Sequence, residues 1–341
     1  MPLPLILGVG AAIAGVAGVG SGIHGAVKMK DAKDTMEVAE RLHKRNIARF
    51  EEESEKTNKV MDKLGEEELR ILSSFNDFTK VFEKIHNKPE FKKTNIEGVD
   101  LPKYDAEKLK EVSIGAGALL GGLGGAAAGT AGGFAAAGAT TAAVMALGTA
   151  STGTAISTLS GAAATKAALA AIGGGAIKAG GGGMALGSTI LGGATLGVGL
   201  LVGGIIFSAT GSSLSDKADE AWSQMKKAEE EINRICSYLE SLHDTAVKYN
   251  DSLTTVDKVY NNNLKILKYI VERNGKTDWR AFTAEEKLVT ENLVLLVGVL
   301  FNMCKVKLVL VNEEEDGINE VNTIEIEKAM KDANKALEMV A

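Results

Sequence analysis

Gly20, Gly22 and Gly25 have the GxGxxG spacing that lets a backbone approach a pyrophosphate. The fingerprint works only between a strand and a helix of a βαβ unit. Here Gly10, Ala14, Gly18 and Gly22 recur every fourth residue, which is one face of a helix, so dinucleotide chemistry is set aside. Gly275, Lys276 and Thr277 look like the end of a phosphate loop, but its first glycine would fall on Ile270, inside a helical pattern. His24, His43, His86 and His243 form no i,i+4 pair and no HExxH, and Cys236 and Cys304 form no CxxC. The acidic runs Glu51 to Glu53, Glu66 to Glu68 and Glu313 to Glu315 read as solvated helix faces or loops. With no Ser, His and acid constellation either, the expectation is a protein that is not an enzyme: no catalytic residue, no cofactor, no metal and no small-molecule substrate.

The elements that carry these residues are helices. The 341 residues include 40 Gly but only 4 Pro, 9 Phe, 5 Tyr and 2 Trp, a composition that argues against a β-sandwich. The net charge of -6 leaves no basic stripe to neutralise phosphates, so nucleic acid is not an expected partner. The chain is very uneven. Between Ser113 and Thr210 the only charged residues are Lys166 and Lys178; the other 80 of the 82 lie outside.

That apolar stretch holds 27 of the 40 glycines, and Gly117, Gly121, Gly125, Gly129 and Gly133 stand at strict four-residue spacing. Such a strip lets a second backbone come close enough for dispersion contacts and Cα hydrogen bonds. Gly193 with Gly197, and Gly199 with Gly203, repeat the device. In water each glycine costs a helix interior roughly 1 kcal/mol relative to Ala. In lipid an unmade backbone hydrogen bond costs more, so the segment stays helical. Leu186 to Phe207 contains eleven Leu, Ile, Val or Phe residues, worth roughly -3 to -7 kcal/mol of insertion before glycine is counted. Ile156 to Ile177 contains five, about -2 kcal/mol, against a cost near +3 for Lys166 at a helix centre, so Lys166 and Lys178 limit insertion. The stretch has no Trp or Tyr and so lacks the aromatic belt of resident membrane helices, which points to conditional insertion.

Two charged arms flank it. In residues 28–87, Met29, Ala32, Met36, Ala39, Leu42, Phe50, Leu69, Leu72, Phe75, Phe78 and Phe82 fall at three- and four-residue steps, with Gly65 as an interruption. From Ala218 through Ala221, Met225, Ala228, Ile232, Ile235 and Leu239 to Leu267 and Val271 the steps alternate between three and four. This seam predicts one helix of about 90 Å packed lengthwise on a partner, with the first arm as that partner. Asn274 to Lys276 ends it, and Thr283 with Glu286 forms a capping-box pattern before a buried helix containing Leu293 to Met303. Val306 to Val311 reads as a short strand and Ile318 to Val340 as a last helix. The expected fold is all-α, a long antiparallel, coiled-coil-like bundle with a central membrane-insertion segment. Its parts are an apolar N-terminal helix (1–27), the first arm and linker (28–112), the glycine-zipper segment (113–210), the second arm (211–273) and a C-terminal helical subdomain (274–341).

The run GTASTGTAISTLSGAAATKAALAAIGGGAIKAGGGGMALG, residues 148–187, resembles the glycine-zipper segment of bacterial membrane-associated proteins. The layout of long amphipathic helices around a hidden apolar hairpin is similar to the α-helical pore-forming toxins and to channel formers of the apolipoprotein L and colicin type. The resemblance implies a protein stored soluble that enters a lipid bilayer as a homo-oligomer and permeabilises it, as a toxin or effector. A constitutive membrane-anchored scaffold or signalling protein with coiled arms is the alternative expectation.

Overall fold

The structure is a computed structural model and describes residues 23–91, 101–123, 214–310 and 318–341. Helix makes up 83% of this part, and the class is all-α. Helix α1 runs Ile23–Phe82, α2 Ala106–Leu123 and α3 Leu214–Lys268. A π turn, Tyr269–Arg273, extends α3, and α4, Ala284–Met303, follows. Two-residue strands β1 (Val309–Leu310) and β2 (Glu320–Val321) pair antiparallel before α5, Thr323–Val340. Among the described residues no helix is long and apolar enough to cross a membrane.

The helices start and stop where local chemistry says they should. No proline lies within α1 or α3, so each ladder runs unbroken. Gly65 does not interrupt α1: it sits buried inside the continuous helix, because packing on one face outweighs the roughly 1 kcal/mol that a glycine costs there. Asp105 accepts from the Lys108 N–H at 3.0 Å and so caps α2. Thr283 and Glu286 form the reciprocal capping box at the start of α4, with Thr283 Oγ1 accepting from the Glu286 N–H at 3.2 Å and Glu286 Oε2 accepting from the Thr283 N–H at 2.8 Å. Gly275, at φ +66°, takes the left-handed conformation that turns the chain out of the π turn.

The described residues fall into two compact units. The first contains residues 23–55 and 214–240, with a seam of Ala32, Met36 and Ala39 on α1 and Ala218, Ala221, Met225, Ile232 and Ile235 on α3. Leu42 and Phe50 are only half-buried here, and His43 and Asn46 take the buried positions. The second contains residues 56–91, 101–123, 241–310 and 318–341. Its core includes Leu64, Leu72, Phe75 and Phe78 from α1 and Tyr249 and Tyr260 from α3, all fully buried. Along α3 every seam position named above is buried except Ala228.

Within each unit α1 and α3 run parallel, not antiparallel. In the first, Ala32 and Met36 cluster with Ala218 and Ala221, while Arg49 donates to Asn233 at 2.9 Å. In the second, Arg70 pairs with Asp257 at 3.2 Å, Lys268 with Asp77 at 2.7 Å and Lys84 with Glu272 at 2.8 Å. Residue numbers rise together on both helices. A three-four seam fits either direction, and a short connection would have forced antiparallel neighbours. The chain from Phe82 to Leu214 is long enough to return to the starting end, so the parallel pair is open to it.

Candidate functional site

The glycine-rich stretch leaves the described structure through α2. Of the strip, Gly117 and Gly121 lie in α2, and Gly117 is exposed, with no described atom within 4 Å of where its Cβ would stand. Gly125, Gly129, Gly133, Gly193, Gly197, Gly199, Gly203, Lys166 and Lys178 lie outside the described residues, as does the N-terminal stretch 1–22.

The root of the segment is held firmly. Leu109, Val112, Gly115 and Ala116 are buried, while Ile114 is 55% exposed, so α2 has one face against the protein and one face open. Ser113 fixes it to α1: its Oγ donates to the Ser73 carbonyl at 2.5 Å and accepts from the Asn76 N–H at 3.1 Å. Because Ser113 reaches Ser73 while Tyr104 reaches Glu83, α2 runs back along α1 in the opposite direction.

Where α1 turns over into α2, aromatic rings gather. Phe78 and Phe82 stack at 5.1 Å, Tyr104 meets the edge of Phe82 at 4.8 Å, and Phe91 bridges Phe82 to Trp279 at 5.4 and 5.6 Å. Edge and offset contacts of this kind contribute about 0.5–1.5 kcal/mol per pair beyond burial. Backbone bonds close the same spot, since the His86 N–H donates to the Thr277 carbonyl at 2.6 Å and the Trp279 N–H to the His86 carbonyl at 3.0 Å. The Tyr104 hydroxyl donates to Glu83 at 2.8 Å, and burial is the main reason its pKa is raised. The connection from α1 to α2 and the connection from α3 to α4 are thereby clamped to each other.

No family model, curated protein or solved structure matches the chain.

No group of three or more His, Cys, Asp or Glu could hold a metal ion among the described residues. Cys236 and Cys304 are both buried and free. His86 serves through its backbone, and Lys276, in the segment like a phosphate loop, pairs with Glu286 at 2.7 Å. The acidic run Glu66 to Glu68 departs from the expectation of a solvated face. Glu66 is exposed and Glu67 pairs with Arg70, but Glu68 is fully buried. The signal was in the spacing, because Glu68 stands four residues from both Leu64 and Leu72 on the buried stripe. The Tyr249 hydroxyl donates to the Met303 carbonyl at 2.7 Å, satisfying a carbonyl in the last turn of α4.

Proposed function

We propose that the protein is a membrane-inserting helical protein that drives its glycine-rich segment, residues 113–210, into a lipid bilayer and assembles there as a homo-oligomeric pore. It is stored soluble, and it works as a toxin or effector, without an enzymatic step. The observation that carries this reading is a stretch with two charges, Lys166 and Lys178, and 27 glycines, set between flanks that carry the other 80 of the 82 charged residues. Five glycines at four-residue spacing have little purpose unless two backbones meet there. The rigid base of α2 supports the reading too, since Ile114 and Gly117 leave the outward face apolar and unencumbered at the point where the stretch begins.

Gly125→Ile separates insertion from assembly. The variant keeps the segment apolar enough to enter lipid while forcing paired helices apart. The expected result on liposomes is unchanged binding with loss of most dye release and of high-mass crosslinked species. Parent protein that binds liposomes yet releases no dye at any lipid composition or pH would overturn the pore and leave the membrane-anchored scaffold.

A further inference from the structure

Among the described residues of the second unit, Glu68 is the one acidic side chain with no exposed surface. Neither carboxylate oxygen meets a hydrogen-bond donor among the described residues. The polar groups nearest to it are committed elsewhere. The Tyr249 hydroxyl on α3 donates to the Met303 carbonyl at 2.7 Å, and the Cys304 thiol, at the end of α4, lies 3.9 Å from the backbone carbonyl of Glu68. Arg70, two residues further along α1, is turned outward to Glu67 and to Asp257 at 3.2 Å, with more than half of its side chain in solvent. From Val112 onward α2 has no titratable residue to offer. Leu64 and Leu72, one helical turn to either side of Glu68, are fully buried, and so are Leu253 and Val256 on α3.

We propose that Glu68 is a proton-held latch of the second unit: its neutral carboxylic acid fits the core where α1, α3 and the end of α4 meet, and loss of the proton loosens that core.

An ionised carboxylate without a partner in an apolar core is disfavoured far more than the neutral acid. Burial accordingly raises the pKa of Glu68 well above the usual glutamate value. In the unfolded chain the same group ionises near its ordinary value of about 4.3. Stability from this group is therefore complete below the unfolded pKa and is lost as pH rises toward the folded pKa. The neighbours leave this window clear. Tyr249 and Cys304 are also pushed up by burial, from values already alkaline. Asp257 is raised by burial too, from an ordinary value below that of glutamate, and Arg70 opposes the rise. The latch does not depend on what the apolar stretch does, so it can fail while the membrane reading stands, and the reverse.

The test follows denaturant unfolding of the full chain by Trp279 fluorescence in a Trp222→Phe background, between pH 5.5 and 8. Trp279 belongs to the second unit, whereas Trp222 is 36% exposed and belongs to the first. Relative to Glu68→Gln, the parent's unfolding equilibrium constant should rise with pH by up to about tenfold per pH unit, the slope of one proton released on unfolding. Glu68→Met, which fills the site with an unbranched apolar chain, should match Gln in slope and exceed it in stability. If the amide variant does not fold, the Met variant carries the same comparison. Parent and variant curves that run parallel over the whole range would overturn the latch.

Discussion

One periodic pattern runs the length of α1, yet the two units it serves are unlike in substance. In the first, the buried positions facing α3 are alanines and a methionine, followed by His43, Asn46 and Ser54, all buried, and His43 and Ser54 each have a polar atom without a hydrogen-bond partner among the described residues. In the second, the equivalent stripe holds Leu64, Leu72, Phe75 and Phe78, backed by Tyr249 and Tyr260 and by a third and fourth helix. Burying a Phe or Leu side chain contributes about 1.5–3 kcal/mol, whereas an alanine has little to bury. Periodicity therefore says which face packs; only the size and polarity of what stands on that face says how strongly. Along α1 the second unit thus buries larger apolar side chains than the first, whose large buried residues, Met225, Ile232 and Ile235, come from α3.

The comparison can be broken most sharply by truncation. Phe75, fully buried and 6.0 Å edge-on from Tyr260, should lose about 3–5 kcal/mol of stability as Phe75→Ala. Met36→Ala, at a site 9% exposed among alanines, should lose no more than about 2 kcal/mol. Urea titrations of the two variants read both numbers, and equal losses would mean that the units are of one strength. Next in size is the response to pH, where the units should move in opposite senses. Burial lowers the pKa of His43, so its contribution is complete above the unfolded value of 6.5 and is lost as pH falls below it. Amide exchange in residues 31–55, corrected for intrinsic rates, should quicken from pH 7.5 to pH 5.5, and His43→Gln should abolish that change. A first unit indifferent to acid would show that His43 finds a partner when charged. The smallest effect belongs to the second unit alone: Thr283→Ala removes the capping box of α4 and should cost about 1 kcal/mol by thermal unfolding. A loss above about 2 kcal/mol would show that this cap also braces the aromatic clamp.

Much of this was legible in the residues. The seam from Ala218 to Val271, the break at Asn274 to Lys276 and the Thr283 capping box are local patterns, and local patterns survive folding because backbone geometry alone sets their period. What could not be read is non-local. The direction in which α1 and α3 pair depends on the length of chain between them and not on either seam. The aromatic clamp joins Phe82 at the end of α1 and Phe91 and Tyr104 in the connection to α2 with Trp279 in the connection from α3 to α4, and no spacing along the sequence links them. Glu68 was misleading for another reason. Its residue type suggests water, while its position lies on the buried stripe, and position prevailed because the helix has no means of turning one residue outward without turning its neighbours. Of the candidate membrane site, the sequence reads the whole strip, and the described structure adds the base from which it starts.

The parallel pairing also has a consequence in time. Contacts between α1 and α3 join residues 184 to 191 positions apart. A ribosome adding about 5–20 residues per second needs roughly 10–40 s to cover that interval. Throughout it α1 has emerged with its apolar stripe uncovered and no α3 to cover it, and the glycine-rich stretch is made while it waits. The long helix that comes first thus waits for its partner while about half of the chain is made. Its buried stripe, including the aromatic half that later anchors the second unit, is on offer to any other apolar surface until synthesis reaches Leu214.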